Sequence, residues 1–265
     1  MDVELKSIKF NDIKYKNKKR INVTNKSVQE WLFKGNLGEF VYLDGNVHKK
    51  GLEFFFSSYV LNIKEEDIIL DAAGGSSSYL EAVRLNSLSS HLILTDQIYE
   101  GVVEKENGIK IVGGDISSIH LDDSSVTKIS CHHAFEHFQE NKDQLFIKEA
   151  YRILKKSGCL VIIPLFLTDK YSECWNIKPK QYFDKKSNLI FDSTATLPGG
   201  DAGGHFCRLY SVESLEKRIL NLAKDINFDC EIIECEIDHQ SIPKSKNNCG
   251  SKLNAPTRAL KLTKI

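Results

Sequence analysis

Ile68-Ile69-Leu70-Asp71-Ala72-Ala73-Gly74-Gly75-Ser76-Ser77-Ser78-Tyr79-Leu80 is the stretch on which the reading of this chain turns. IILDAA (68–73) is a short apolar run ending in small residues, the pattern of a buried strand, and SSYLEAVRLNSL (77–88) carries helical spacing. Small residues between strand and helix let a backbone approach a ligand, although a tight connection has the same composition.

The alternation repeats toward the C-terminus. HLILTD (91–96) and IKIVGGD (109–115) are apolar runs that each end on an acid, and VTKISCHH (126–133) ends on two histidines. A helix is expected over DQLFIKEAYRILKK (143–156), stopped by Gly158 as its C′ residue, and a strand over CLVIIPL (159–165). Short apolar runs separated by helical stretches argue for a parallel sheet with crossover helices. In such sheets ligands bind outside the carboxyl ends of the strands, where each of these polar clusters falls.

On the N-terminal side, residues 1–50 are polar and irregular, with a candidate helix near Ser27–Lys34. KGLEFFFSSYVLNI (50–63) is apolar at Leu52, Phe55, Phe56, Tyr59 and Val60, the spacing of one helix face. Residues 166–210 break the rhythm with Pro179, Pro198 and PGGDAGGHF (198–206), and are expected to lie over the same rim of the sheet. SVESLEKRILNLA (211–223) reads as a helix with Ser211 as N-cap, and DCEIIECEI (229–237) with RALKLTKI (258–265) as a closing strand pair.

The chain has 265 residues, 41% hydrophobic and 27% charged, which excludes a disordered or fibrous protein. Lys+Arg and Asp+Glu are 36 each, so the overall positive field of a nucleic-acid binder is missing, and no nucleic-acid partner is expected. Residues 2–26 carry eight Lys/Arg against three Asp/Glu and read as a solvated arm. No run approaches the length of a membrane span and the N-terminus lacks the apolar core of a signal peptide, so no membrane partner and a cytoplasmic location are expected. The seven cysteines contain no C-x-x-C pair and read as reduced thiols.

Asp96 lies 25 residues beyond Asp71, at the next strand end, where an acid can accept both ribose hydroxyls of a nucleoside or cap a helix. Asp115, after Gly113-Gly114, is placed to accept an adenine amino proton. With these residues in hand, residues 66–165 resemble a class I S-adenosylmethionine-dependent methyltransferase. IILDAAGGSSSYL is similar to that family's first motif and LILTDQ to its acidic second. VGGDISSIHLDDSSVTKISCHHAFEHF covers the third and fourth, and EAYRILKKSGCLVIIPL resembles the helix and strand that follow. The first motif departs from Asp-x-Gly-x-Gly-x-Gly, with Ala73 and Ser77 at its first and third glycines and Gly75 retained.

The resemblance implies an α/β fold, three-layer and Rossmann-like, with a mostly parallel seven-stranded sheet whose last strand is inverted. It implies a single methyltransferase domain over 1–265: an N-terminal helical extension (1–65), a cofactor-binding core (66–165), a substrate-covering insertion (166–210) and a C-terminal helix with closing strand pair (211–265). Asp71, Ala72, Gly74 and Gly75 would hold the methionine end of S-adenosyl-L-methionine. Asp96 and Gln97 would bind the ribose and Asp115 and Ile116 the adenine, while Cys131–His132 would run past the cofactor.

A sulfonium is already an activated methyl donor, so the protein must position a nucleophile and remove its proton. For a hydroxyl, histidine is the natural base. His133 at the fourth strand end and His205 in the insertion are the candidates, with Arg208 and Tyr210 as substrate contacts, Arg208 suited to a carboxylate or phosphate. Each could instead be a structural residue, and Glu136 and His137 could orient His133 or cap a turn. Tyr171, Trp175, Tyr182 and Phe183 could form an aromatic platform or simply pack.

His133-Ala134-Phe135-Glu136-His137 also matches H-x-x-E-H, but that zinc-peptidase motif belongs inside a long helix and a strand-like run precedes it here. No metal is expected, although Asp201 and His205 could join a site. The expected activity is O-methylation of a small acceptor, and CHHAFEHF with GGHFCRLYS resembles enzymes of bacterial surface-polysaccharide or secondary-metabolite pathways, implying a sugar or sugar-phosphate acceptor. The alternatives are a cofactor-binding regulatory module without turnover, methylation at nitrogen or carbon, and an NAD-dependent oxidoreductase, which leaves Asp115 unexplained.

Overall fold

The computed structural model describes residues 5–42, 44–177, 183–191, 206–238 and 256–265. His205, Asp201, Tyr182 and Cys249 therefore lie outside the described residues.

After a 3-10 turn at Phe10–Asp12 come strand β1 (Lys18–Val23) and helices α1 (Asn25–Lys34) and α2 (Lys49–Leu61). Then come β2 (Ile68–Ala72), α3 (Tyr79–Leu85), β3 (His91–Thr95), β4 (Val103–Glu106), β5 (Ile109–Val112), β6 (Val126–His132), α4 (Lys142–Ile153) and β7 (Leu154–Ile163). Short strands β8 (Ser172–Trp175), β9 (Asn188–Phe191) and β10 (Phe206–Leu209) follow. A continuous helix runs as α5 (Val212–Leu215), a π turn (Glu216–Leu220) and α6 (Asn221–Asp225), before β11 (Phe228–Ile237) and β12 (Arg258–Lys264).

The main sheet has the order β1-β11-β12-β7-β6-β2-β3-β5-β4. Its central seven strands are the expected ones, with β12 antiparallel to both neighbours as the inverted strand. Two edge strands were not anticipated. β4 adds antiparallel to β5, and β1 adds parallel to β11 within the segment expected to be helical. The basic arm also differs from a solvated terminus: Lys19 pairs with Glu231, Arg20 with Glu234 and Glu236, and the Lys18 ammonium donates to the Phe10 and Ile13 carbonyls.

Alternation along each strand divides the core in two. Ile69 on β2 and Cys159, Val161 and Ile163 on β7 pack with α1, α2 and α3, whereas Leu70, Leu160 and Ile162 pack with α4 and the α5–α6 helix. The result is three layers. Helix α2 is buried over most of its circumference, including Glu53, and its outward stripe holds Tyr59, so the expected apolar face is rotated.

Helix α4 ends at Ile153 rather than at Gly158, because Leu154 already turns extended into β7. Gly158 lies inside that strand, where a Cβ would stand 2.8 Å from the Thr127 carbonyl oxygen, beside the irregularity between β6 and β7. Strands β8–β10 form a separate sheet with its own apolar cluster of Phe166, Cys174, Cys207 and Leu209. The six described cysteines are all buried. Among the described residues, no helix is long and apolar enough to cross a membrane.

Candidate active site

Strands β2, β3, β5 and β6 end on the same rim, and the turns that leave them enclose a cavity of about 630 Å³. Of the residues expected at a site, Gly75, Asp96, Gln97, Asp115, Ile116 and His133 line it together. The volume lies within the range of small-ligand and cofactor sites.

The turn after β2 is built by two left-handed residues, Ala73 (φ +54°) and Gly75 (φ +55°). Gly74 between them is required by close approach, since a Cβ there would stand 2.6 Å from both Asp71 Oδ2 and Leu94 Cδ1. Ala73 carries the strain of a left-handed L-residue, so Ala73→Gly is expected to stabilise the fold by about 0.5–1 kcal/mol, read from the urea midpoint. An unchanged or lowered midpoint would show that the loop relaxes around alanine.

Asp96 ties this turn to the next strand: its Oδ2 accepts from the Gly75 N–H at 2.9 Å and its Oδ1 from the Ile98 N–H at 3.0 Å. An ionised carboxylate has about four acceptor positions, so two remain for ligand hydroxyls. Asp115 is more fully engaged, accepting from the Ser117 N–H, the Ser117 hydroxyl and the Lys142 ammonium at 2.7 Å. Burial raises its carboxyl, but Lys142 and Ser117 outweigh that and pull it to about 2. One acceptor position is left for a ligand.

On the opposite wall, His133 sits at the end of β6 in a left-handed conformation (φ +49°), its N–H donating to the Ile163 carbonyl of β7. Its Nε2 lies 2.6 Å from Glu53 Oε2, and its Nδ1 lies 3.9 Å from Glu136 Oε1. The side chain is 35% exposed while that of Glu53 is fully buried. Burial lowers the imidazole and raises the carboxyl, yet the attraction and hydrogen bond between them outweigh it in both groups. His133 is raised above its ordinary value and Glu53 is held below its own.

His137 also lines the cavity, its Nδ1–H donating to the Phe206 carbonyl and linking the wall to the small sheet. Residues 135–137 form a three-residue 3-10 turn, so His133, Glu136 and His137 do not share the helix that a zinc-peptidase motif needs. Among the described residues no group of three or more His, Cys, Asp or Glu is arranged to hold a metal ion.

Several expected contacts do not reach the cavity. Asp71, Ala72, Cys131 and His132 are buried beneath it, with Asp71 Oδ1 accepting from the Ser130 hydroxyl and 3.2 Å from His132 Nδ1. Gly74 supports the turn without lining the cavity. Arg208 is 1% exposed and bound to Asp143, Glu173 and the carbonyls of Phe138 and Glu140, so it is no free anion clamp. The Tyr210 hydroxyl donates to Asp143 at 2.6 Å, again inside the fold. Tyr171 and Trp175 are buried and Phe183 is 41% exposed, an arrangement without a shared aromatic face at the cavity.

The sequence reading missed Glu53 and Lys142. Glu53 had one visible trace, the lone acid of its helix, set between Leu52 and Phe54.

Residues 70–162 match the family described as Methyltransferase domain. Residues 70–162 form a methyltransferase domain. No curated protein matches the chain. Among solved structures, one in a complex with the Trm112 methyltransferase activator of Haloferax volcanii is 12% identical, covers 90% of this chain and 92% of its own, and has a TM-score of 0.50. The 1,6-didemethyltoxoflavin-N1-methyltransferase of Burkholderia thailandensis is also 12% identical, with coverage of 90% and 87% and a TM-score of 0.49. A SAM-dependent methyltransferase from Aquifex aeolicus is 16% identical, with coverage of 81% and 92% and a TM-score of 0.43. The first of these shares the fold.

S-Adenosylmethionine is the methyltransferase's cofactor, and the cavity fits it: Asp96 keeps acceptor positions at the second strand end, and the backbone is close-packed at Gly74 and open at Gly75.

Proposed function

We propose that the protein transfers the methyl group of S-adenosylmethionine to a hydroxyl of a small polar acceptor, with His133 as the base. The observation that carries this is that one cavity is lined both by the acid-tipped strand ends and by His133. The cofactor would be held by Gly75, Asp96 and Gln97 at its ribose side and by Ile116 with Asp115 at its adenine side. When bound, it supplies an electrophilic methyl on a sulfonium. His133 then accepts the acceptor's hydroxyl proton as the new C–O bond forms, and its half-exposed ring returns that proton to solvent.

The acceptor end is lined by His137, Phe138, Gln139 and Glu140, an apolar ring among hydrogen-bonding groups, which suits a hydroxylated molecule such as a sugar. Arg208 is enclosed in the fold and Lys142 is engaged by Asp115, so the described residues offer a phosphate no free cation at this end and we favour a neutral sugar hydroxyl. A role in polysaccharide biosynthesis rests on the resemblance in sequence, and the cytoplasm is the proposed compartment.

Calorimetric titration with S-adenosylhomocysteine tests the cofactor assignment. Asp96→Ala is expected to weaken binding by at least tenfold, about 1.4 kcal/mol, because the variant loses both the ribose acceptors and the tether on Gly75. Equal affinity in the two proteins would remove Asp96 from the site. A panel of monosaccharides, followed by release of S-adenosylhomocysteine, then tests the acceptor class.

A further inference from the structure

We infer that Glu53, on α2 and outside the matched residues 70–162, is a positioning residue for methyl transfer: its carboxylate holds Nε2 of His133 and leaves Nδ1 as the atom that takes the acceptor's proton. This rests on the reading of His133 as the base.

Glu53 Oε2 and His133 Nε2 are 2.6 Å apart, a short charge-assisted contact, and the carboxylate is fully buried. Glu53 Oε1 has no hydrogen-bond partner, and the Lys49 ammonium stands 4.0 Å from it. A fully buried carboxylate is a poor device for stability, since desolvation offsets much of what the pair gains. It is an effective device for fixing an imidazole. Facing an ionised carboxylate, the neutral ring keeps its proton on Nε2, and the lone pair is confined to Nδ1. The ring is also fixed at its root, where the His133 N–H donates to Ile163.

Other charged groups act on this pair. Glu136 stands 3.9 Å from Nδ1, beyond hydrogen-bond reach, and adds to the pull of Glu53 on the ring proton, while Lys50 of α2 opposes it. Lys49 supports the charge on Glu53, and His48 at the start of α2 repels a charged His133. In the reaction, the acceptor O–H bond breaks as O–CH3 forms and S–CH3 breaks. The proton goes to Nδ1, the sulfonium becomes a neutral thioether, and the imidazolium carries the released charge until solvent takes the proton.

The test is NMR of nitrogen-15 histidine in the full-length protein with S-adenosylhomocysteine bound, alongside pH profiles of turnover with the best monosaccharide of the panel. In the wild type above the His133 pKa, the expected tautomer is Nε2–H; an Nδ1–H tautomer overturns the inference without any variant. In Glu53→Gln, the His133 titration is expected to move to lower pH, with the acid limb of the kcat profile following it. Plateau kcat is expected to fall at least tenfold with the KM for S-adenosylmethionine unchanged, and Glu53→Asp to recover part of the loss.

If His133→Ala abolishes turnover while the His133 titration is unmoved in Glu53→Gln, this inference fails and the base assignment stands. Turnover untouched in His133→Ala overturns both.

Discussion

Arg208→Ala is expected to lower the free energy of unfolding by about 3–5 kcal/mol, the cost of stripping a partner from a buried ion pair. The guanidinium bridges Asp143 at 2.9 Å and Glu173 at 3.1 Å and donates to the carbonyls of Phe138 and Glu140. Asp143 would keep Arg218 and the Tyr210 hydroxyl, so the main orphan is Glu173, 1% exposed on β8. The buried contact to the Phe138 carbonyl would also be lost, whereas the Glu140 carbonyl keeps its donor from Arg218. Because this turn lines the cavity, the acceptor KM should rise together with the loss of stability. Urea denaturation of the variant gives the answer. A cost below about 1 kcal/mol with a raised acceptor KM would return Arg208 to the substrate-binding role that its sequence position suggested.

His133→Ala should reduce kcat by about 10²–10⁴-fold, the usual contribution of a positioned general base, while leaving affinity for S-adenosylhomocysteine near that of the wild type. The sign of the pH dependence follows from the raised pKa. The base works only as neutral imidazole, so kcat rises with pH through a value above the ordinary 6.5. The stabilising contact between imidazolium and Glu53 runs the other way, being complete below 6.5 and lost as pH rises through the folded value. Activity and this part of the stability therefore change in opposite directions over one pH interval. A kcat profile flat across that interval in the wild type would exclude His133 as the base.

The core of the fold was legible because strand burial on both faces leaves apolar runs that only a doubly covered sheet explains. IILDAA, HLILT and CLVII could be placed without their neighbours. β1 was not legible: KKRINV is half charged, and it becomes a strand only because β11 offers Glu231, Glu234 and Glu236 opposite Lys19 and Arg20. The end of α4 was misjudged for a related reason. LKKSG reads as a helix terminus by composition, while pairing with β6 draws it into the sheet. At the site, the strand-end positions gave Asp96, Asp115 and His133, since topology alone puts them on one rim. Arg208 and Tyr210 misled because a polar residue on a loop-rich segment has the same sequence appearance whether it faces a ligand or Asp143. Glu53 required the fold, because nothing in a helix of the N-terminal segment announces which strand end it will face.

Strand β1 has one more consequence, for the order of events during synthesis. Arg20 meets Glu234 across 214 positions of chain, so the partner of β1 emerges from a ribosome long after β1 itself. At about 5–20 residues per second the wait is on the order of ten to forty seconds. For that interval the segment that will complete the sheet edge lacks its partner strand, whereas α2 behind it can already cover β2 and β7. Strand β1 must therefore be among the last strands to pair, although it is made before the other strands of the sheet.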